Sequence, residues 1–250
     1  MLNSAPIFVS REGYMRNALF AIGAAVIGTS SAQAQTQDIW TYCKDPHPQV
    51  RLAACSVIIE NGHEMGKALA DAYSSRGTAY SITGDQAHAI ADFDRSIELD
   101  PTRTLVFGFR ASAHLARDEY DLAIADYSKS VELDPQHVDA YYGRGNAYRG
   151  KGDNAHAITD YTHVLEIDPD YLEALAYRGL SYQAENDVDH AIADFDHVIA
   201  LRPMSALAFD LRGAAYLDKG DLTRAKADYS EAARLDPSDE MAARELARLR

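Results

Sequence analysis

Residues 138–171 read VDAYYGRGNAYRGKGDNAHAITDYTHVLEIDPDY, and closely similar blocks stand on both sides of this stretch. Each block has a proline near its end, and these prolines are 34 residues apart without slippage: Pro101, Pro135, Pro169, Pro203 and Pro237. Self-similarity at this period indicates one helical hairpin that is copied and stacked. Most repeated residues are therefore expected to hold the fold, and function is expected at the positions that vary between copies.

The first half of the block has the pattern of an amphipathic helix. Tyr141, Gly145 and Tyr148 are spaced i, i+4, i+7, which places them on one helical face. The small residue in the middle allows the next helix to approach closely. The other copies fill these three columns with Tyr73, Phe107, Leu175 and Phe209; with Gly77, Ala111, Gly179 and Gly213; and with Tyr80, His114, Tyr182 and Tyr216.

A second helix is predicted after the turn at Gly152 and Asp153. Its apolar stripe is Ala157, Tyr161 and Leu165, again along one face. The Ile-Asp-Pro sequence ends this helix, because proline disfavours helical geometry at the residue before it. The equivalent stripes are Ala89, Phe93 and Ile97; Ala123, Tyr127 and Val131; and Ala191, Phe195 and Ile199.

These two helices and the closing proline resemble the tetratricopeptide (TPR) repeat, in five copies over about two-thirds of the chain. The resemblance implies an all-α fold, a right-handed α-solenoid of helix-turn-helix hairpins whose first helices line a concave groove. The expected repeats are residues 70–103, 104–137, 138–171, 172–205 and a last one from 206 to 237 and beyond.

Both ends of the array differ from the repeats. Residues 35–69 are predicted to form a degenerate helical hairpin and linker, and residues 238–250 a C-terminal capping helix. Cys43 and Cys55 form an even pair near the start, which in an exported protein indicates a disulfide. The alternative is two buried thiols. A zinc site is not expected, since the spacing fits no common finger.

The first 34 residues have the pattern of a cleavable secretory signal. Arg11 and Arg16 precede an apolar run over residues 18–28, and small residues follow it up to Ala34, where cleavage is expected. Translation could equally start at Met15, which would give a signal of more usual length. A membrane anchor is the alternative, but the run is shorter than the roughly 18 residues that a span needs. The sequence therefore predicts a periplasmic or secreted protein.

The net charge of −14 restricts the partners. Without residues 1–34 the chain has 22 basic and 37 acidic residues. Nucleic acids and anionic lipid surfaces bind proteins through Lys and Arg, so neither is expected as a partner.

Two charged columns change together in all five repeats. An arginine precedes the glycine column and an aspartate precedes the aromatic residue of the second helix, which predicts an ion pair across each hairpin. An arginine ladder that binds anions is the alternative. The expected pairs are Arg76–Asp92, Arg110–Asp126, Arg144–Asp160, Arg178–Asp194 and Arg212–Asp228.

Histidines recur in two of the second helices. His156, Asp160 and His163 stand at i, i+4, i+7, and His190, Asp194 and His197 repeat the pattern. Histidines seven residues apart on one helix are about 10 Å apart and cannot hold one ion, so these positions are interpreted as a solvated convex face. His114 is interpreted as an interior histidine with a partner. No catalytic constellation is present, so neither enzymatic activity nor a cofactor or metal is predicted.

The positions that vary among first helices predict a groove for a partner protein or peptide. The alternative is ordinary surface variation. The candidate groove residues are Ser112, Leu115, Asp139, Tyr142, Asn146, Arg149, Glu173, Leu180 and Gln183, with Leu105, Leu207, Asp210 and Leu217 at corresponding positions. A clamp for a peptide's terminal carboxylate, which some TPR proteins have, is not expected. Ser74, Tyr142 and Asp210 stand where such clamps have lysines, and only Asn146 fits.

The predicted function is an exported, periplasmic scaffold that binds another protein through its concave groove and acts as a monomer. A self-associating structural solenoid in the cell envelope is the alternative. A metal- or ligand-binding protein that uses the His–Asp stripes is a third.

Overall fold

The computed structural model describes Met15, Ala18, Ile22 and residues 39–249. The predicted signal peptide, residues 1–34, lies outside the described residues except for those three positions. Within the described part the regular structure is helical, and consecutive helices pack in pairs. This confirms the predicted all-α fold of the solenoid class. The chain divides after Glu119 into two compact units.

The first unit contains a short helix α1 at residues 39–43 and four longer helices. These are α2 (Pro48–Asn61), α3 (Gly66–Ile82), α4 (Gln86–Leu99) and α5 (Thr104–Leu115). Helix α2 packs against α3, α3 against α4, and α4 against α5. Helix α3, the first helix of the predicted first repeat, begins at Gly66.

The N-terminal end of the first unit has its own apolar core. Cys43 and Cys55 are fully buried there and are joined by a disulfide, with 4.8 Å between their Cα atoms. Ala18 and Ile22 belong to the same core, with 3% and 4% of their surfaces exposed. Removal of residues 1–34 would therefore uncover part of this apolar surface.

The second unit contains eight helices over residues 120–249. These are α6 (Tyr120–Leu133), α7 (Val138–Lys151), α8 (Asn154–Ile167), α9 (Leu172–Ala184), α10 (Val188–Leu201), α11 (Ala206–Asp218), α12 (Leu222–Leu235) and α13 (Glu240–Arg248). Neighbouring helices pack consecutively along the chain, so α7 and α8, α9 and α10, and α11 and α12 form the hairpins of three repeats.

Turn chemistry determines where each hairpin reverses. Gly152 ends α7 with a φ of +85°, a left-handed conformation that glycine adopts without strain. Asp153 follows and accepts a hydrogen bond from the His156 backbone N–H, which caps the first turn of α8. Asn186 takes the left-handed position in the next repeat. The same glycine–aspartate turn recurs at residues 84–85 and 220–221.

The glycine column sets the distance between the two helices of a hairpin. A Cβ atom added to Gly145 would lie 2.8 Å from the Tyr161 ring, and one added to Gly179 would lie 2.7 Å from Phe195. Contacts this short do not occur between real atoms, so in these two repeats the aromatic ring of the second helix leaves no room for a Cβ atom opposite it. This agrees with the predicted close approach at the middle of the stripe.

Paired charges cross each hairpin of the second unit. Arg144 donates from Nε and Nη2 to the two carboxylate oxygens of Asp160, at 2.9 and 2.7 Å, and Asp160 is 3% exposed. This bond raises the pKa of the Arg144 guanidinium. The same two-bond arrangement joins Arg178 to Asp194 and Arg212 to Asp228, and in the first unit Arg76 to Asp92.

Each of these arginines makes a further bond that the sequence did not predict. Arg144 Nη1 donates to the Ser128 hydroxyl at 3.1 Å, and Ser128 lies on the second helix of the preceding repeat. Arg110 donates to Asp94 at 2.5 Å within the first unit. The predicted Arg110–Asp126 pair would join the two units and stays a prediction. The equivalent acceptors are Ser56 for Arg76, Thr162 for Arg178 and Asp196 for Arg212.

The last helix, α13, covers the end of the second unit, as predicted for a capping helix. Asp239 accepts hydrogen bonds from the backbone N–H groups of Met241 and Ala242, at 2.9 and 3.1 Å, and so caps its first turn. Ala242 is fully buried, and Leu246 packs against the same core. No helix among the described residues is long and apolar enough to cross a membrane.

Candidate functional site

The variable stripe of α7 lies on the side of the second unit where first helices face one another. Asp139, Tyr142, Asn146 and Arg149 are spaced by three or four residues and therefore share one helical face. Asp139 is exposed, and the other three are half-buried. Helix α9 also contacts α7 on this side. Half-burial leaves these side chains packed yet reachable from solvent.

Four tyrosines cluster around this stripe. The Tyr142 ring lies 5.2 Å from Tyr171, 6.1 Å from Tyr161 and 6.2 Å from Tyr177. Tyr161 and Tyr177 are also 6.2 Å apart. These separations are typical of favourable aromatic pairs. We call Tyr142, Tyr161, Tyr171 and Tyr177 the tyrosine cluster.

Hydrogen bonds connect the tyrosine cluster to Asn146. The Tyr161 hydroxyl donates to Asn146 Oδ1 at 2.7 Å. Burial raises the pKa of Tyr161, whose side chain is fully enclosed, and it raises the pKa of Tyr142 to about 12. Both hydroxyl groups are therefore neutral at physiological pH and act as fixed donors and acceptors.

Arg149 lies at the edge of the tyrosine cluster. Its guanidinium carbon is 4.6 Å from the centre of the Tyr177 ring, within the range of a cation–π interaction. Its Nε atom is buried without a hydrogen-bond partner, and no described carboxylate forms an ion pair with it. It differs in this from Arg144 on the same helix, which is held by Asp160.

The other predicted groove residues do not all join this site. Glu173 is exposed and lies next to it on α9, whereas Leu180 packs into the core of the last repeats. Gln183 donates from its amide to the Asp218 carboxylate and is already engaged. Ser112 and Leu115 belong to the first unit, where Ser112 is exposed and its hydroxyl donates to the Gly108 carbonyl.

Asp210 is not a groove residue, contrary to the expectation from its column. It is 3% exposed, and its Oδ1 atom has no hydrogen-bond partner. Burial and the neighbouring carboxyl group of Asp239 raise its pKa to about 7. The reason is α13, which follows the last repeat and covers this position with its N-terminal cap.

The histidines have structural partners. His156 lies 2.8 Å from Asp153 and stacks on Tyr148, and His190 lies 2.7 Å from Asp187. His163 contacts the Tyr141 ring at 4.0 Å, and His197 bonds to Asp170. His114 bonds to Glu119 at 2.7 Å.

The interpretation of one solvated His–Asp face is wrong in part. Asp160 and Asp194 are buried in ion pairs and do not share an exposed face with the histidines. Among the described residues, no group of three or more His, Cys, Asp or Glu side chains could hold a metal ion.

Sequence reasoning missed Tyr161, Tyr171 and Tyr177 as parts of the site. Tyr161 stands in a core column in which the preceding repeat also has a tyrosine, Tyr127, and the next repeat has Phe195, which lacks the hydroxyl. The additional hydroxyl, with Asn146 fifteen residues earlier on the facing helix, was the available signal. Tyr171 and Tyr177 gave no such signal, since their contacts depend on how successive hairpins stack.

Four family models of the tetratricopeptide repeat match the chain, at residues 70–103, 111–152, 138–171 and 178–249. Together these matches cover more than half of the chain. No curated protein sequence matches it significantly.

Solved structures with the same fold include YrrB, described as a TPR protein with an unusual peptide-binding site. YrrB is 21% identical with a TM-score of 0.67, over 77% of this chain and 97% of YrrB. A MamA structure is 23% identical with a TM-score of 0.64, over 67% of this chain and 92% of MamA. MamA from Desulfovibrio magneticus RS-1 is 18% identical with a TM-score of 0.66, and the match covers 71% of this chain and 99% of the MamA chain.

These likenesses show the fold, which generally serves as a scaffold for protein–protein interaction and is typically not enzymatic. The matches confirm the repeats predicted from the sequence, and the chain is a tetratricopeptide repeat protein.

Proposed function

We propose that this protein is an exported, periplasmic scaffold that acts as a monomer and binds a partner protein through the variable face of its first helices. The tyrosine cluster and Arg149 form the centre of the binding surface. The observation that carries the proposal is the set of three half-buried rings, Tyr142, Tyr171 and Tyr177, beside an arginine without a carboxylate partner. Tyrosine and arginine are the residue types that most often dominate the affinity of protein interfaces.

The variation between repeats at the positions of this face supports a binding role. The repeats retain the residues that hold each hairpin, such as Gly145 and the Arg144–Asp160 pair. By contrast, the position of Tyr142 is Ser74, Gly108, Ala176 and Asp210 in the other copies. The structural similarity to YrrB, whose description names a peptide-binding site, supports this proposal.

Export is proposed from the N-terminal sequence and the cysteines. Arg11, Arg16 and the apolar run that ends in small residues form the signal pattern. The Cys43–Cys55 disulfide is the kind of bond that persists in oxidising compartments. Cell fractionation and mass spectrometry of the mature protein test this point. An N-terminus at Gln35 in the periplasmic fraction is expected, and an intact chain in the cytoplasm would contradict export.

A pull-down from an envelope extract of the source cells tests the binding surface. We expect the wild-type chain to retain partners that the double variant Tyr142→Ala, Arg149→Glu loses. The variant Lys226→Glu is the control, because it makes the same charge change at an exposed position of α12. Identical partners for wild type and the double variant would exclude this face. Light scattering of the purified protein should give the mass of one chain, and a concentration-dependent oligomer would favour self-association.

A further inference from the structure

Arg149 is set apart from the other arginines of its unit. Arg144, Arg178 and Arg212 each bind both oxygens of a buried aspartate. Within residues 120–249, Arg149 and Arg202 are the arginines without a carboxylate within ion-pair distance, and Arg202 is exposed in the turn after α10. Arg149 is therefore the half-buried arginine in this unit whose charge is not neutralised by the protein.

The surroundings of Arg149 hold the guanidinium in place without using all of its donors. The Tyr177 ring supports one side, at 4.6 Å, and Nε has no hydrogen-bond partner although it is shielded from solvent. A buried donor without a partner destabilises the protein. Asn146 lies one helical turn away; its oxygen accepts from Tyr161, and its amide, which also interacts with the Tyr142 hydroxyl, provides two N–H groups in total. A group that accepts several hydrogen bonds and carries negative charge fits this arrangement.

The rim of the site has the opposite charge. Asp139 and Glu173 are both exposed. Burial is the main reason why the pKa of the Tyr171 hydroxyl group is raised, and the negative charges of Asp139 and Glu173 raise it further, so both lie close to this ring. A ligand with several acidic residues would be repelled by these carboxylates. A ligand that places one carboxylate at Arg149 between basic residues would be attracted by both parts of the surface.

We infer that Arg149 binds a single carboxylate of the ligand, in a peptide whose neighbouring residues are basic or uncharged. This inference rests on the proposed binding face and adds the chemical class of the ligand. Arg149 would form a charge-assisted pair through its planar fork, as its neighbours on the repeats do with aspartate. The carboxylate can come from an Asp or Glu side chain or from the peptide's C-terminus.

Two synthetic libraries of random decapeptides test the inference. One library has amidated C-termini and the other has free ones, and both are captured on the immobilised full chain and sequenced by mass spectrometry. Enrichment of a single Asp or Glu beside Lys or Arg in both libraries assigns the carboxylate to a side chain. Enrichment in the free library alone assigns it to the C-terminus. Either result supports the inference, and enriched peptides that lack a carboxylate would overturn it.

A double-mutant cycle on one selected peptide identifies the contact. With fluorescence anisotropy, we expect Arg149→Gln to weaken binding about 10- to 100-fold, the effect of a hydrogen bond to a charged group. Neutralising the peptide carboxylate should have the same effect, and both changes together should cost little more than one. Independent, additive losses would show that Arg149 does not touch the carboxylate. Arg202→Gln is the matched control and should leave affinity unchanged.

Two further variants separate the possible failures. Arg149→Lys keeps the charge but loses the planar fork, so partial binding is expected even if the Gln variant is unstable by circular dichroism. Tyr142→Ala tests the binding face itself. If selected peptides bind Tyr142→Ala as well as wild type, or if no peptide is enriched, the proposed function fails and the inference with it. If they require Tyr142 but not a carboxylate, the inference alone fails.

Discussion

The guanidinium of Arg144 holds both carboxylate oxygens of Asp160, and its remaining nitrogen reaches Ser128 at 3.1 Å on the preceding repeat. One side chain thus connects the two helices of its own hairpin and attaches that hairpin to the one before it. Four described arginines at the same repeat position make this double connection. The charges therefore fix how hairpins stack as well as how each one closes.

Removal of Arg144 alone should destabilise the protein strongly. Arg144→Leu leaves the 3%-exposed Asp160 carboxylate without its partner, which typically costs about 3–5 kcal/mol. The double variant Arg144→Leu, Asp160→Leu removes both charges and should be less destabilised than the single one. Urea denaturation followed by circular dichroism measures both.

An exposed pair provides the control. Arg234 also makes two bonds to one carboxylate, that of Glu231, but 61% of its side chain is exposed. Arg234→Leu should change the free energy of unfolding by less than about 1 kcal/mol, as is typical of surface pairs. If Arg234→Leu costs as much as Arg144→Leu, burial of the carboxylate does not explain the effect.

Loss of the Tyr161 hydroxyl should destabilise the site. Tyr161→Phe leaves Asn146 Oδ1 without its 2.7 Å hydrogen bond, and an unpaired group of this kind costs about 1–3 kcal/mol. Tyr229→Phe is the matched control, because Tyr229 occupies the same column and is equally buried. Thermal unfolding of the two variants should rank Tyr161→Phe as the less stable. If Tyr229→Phe is instead the less stable variant, the hydrogen bond from Tyr161 to Asn146 is not a stabilising contact.

The repeat period made the hairpins predictable, whereas contacts between hairpins were not. Tyr141, Gly145 and Tyr148 predict a helical face because their spacing depends only on local geometry. The contact of Arg149 with Tyr177 depends on how α7 and α9 stack, and no residue spacing within one repeat encodes it. The same holds for the bond from Arg144 to Ser128.

The repeat columns of the sequence predicted side-chain burial least well at the C-terminal end of the array. Asp210 occupies a position that is variable in every repeat, so its column predicts a groove residue. The helix that covers it begins beyond Pro237, where the repeat pattern stops and α13 replaces a further hairpin. Burial of Asp210 against Asp239 is therefore a property of the termination of the array, which the repeat pattern does not describe.

The Asp210–Asp239 contact should make stability depend on pH. Burial raises the folded-state pKa of Asp210 from 3.8 to about 7, so its contribution is complete below about pH 4 and is lost as the pH rises through 7. The pKa of Asp239 is lowered by its bond to Asp210, so its contribution is present above pH 4 and is lost below it. The neighbouring Asp236 carboxylate also disfavours ionisation of Asp210.

Denaturation at several pH values measures this effect. The shift from 3.8 to about 7 is about 3 pKa units, so the free energy of unfolding should fall by up to about 4 kcal/mol between pH 4 and pH 8. In Asp210→Asn, which cannot ionise, this fall should be absent. Glu240→Gln changes an exposed carboxylate at the start of the same helix and should retain the wild-type profile. A fall that persists in Asp210→Asn would assign the pH dependence to another group.

Reduction of the disulfide should destabilise the first unit. Cys43 and Cys55 close a short loop at the end of the array, where a degenerate hairpin has fewer neighbours than an internal repeat. Chain-entropy arguments give such a bond about 3 kcal/mol. Denaturation with and without a thiol reductant should show this loss in the wild type. The variant Cys43→Ser, Cys55→Ser should be equally destabilised in both conditions, since it has no bond to reduce. If mass spectrometry shows that the reductant has opened the bond, and the wild type is nevertheless as stable as without reductant, the bond has no stabilising role.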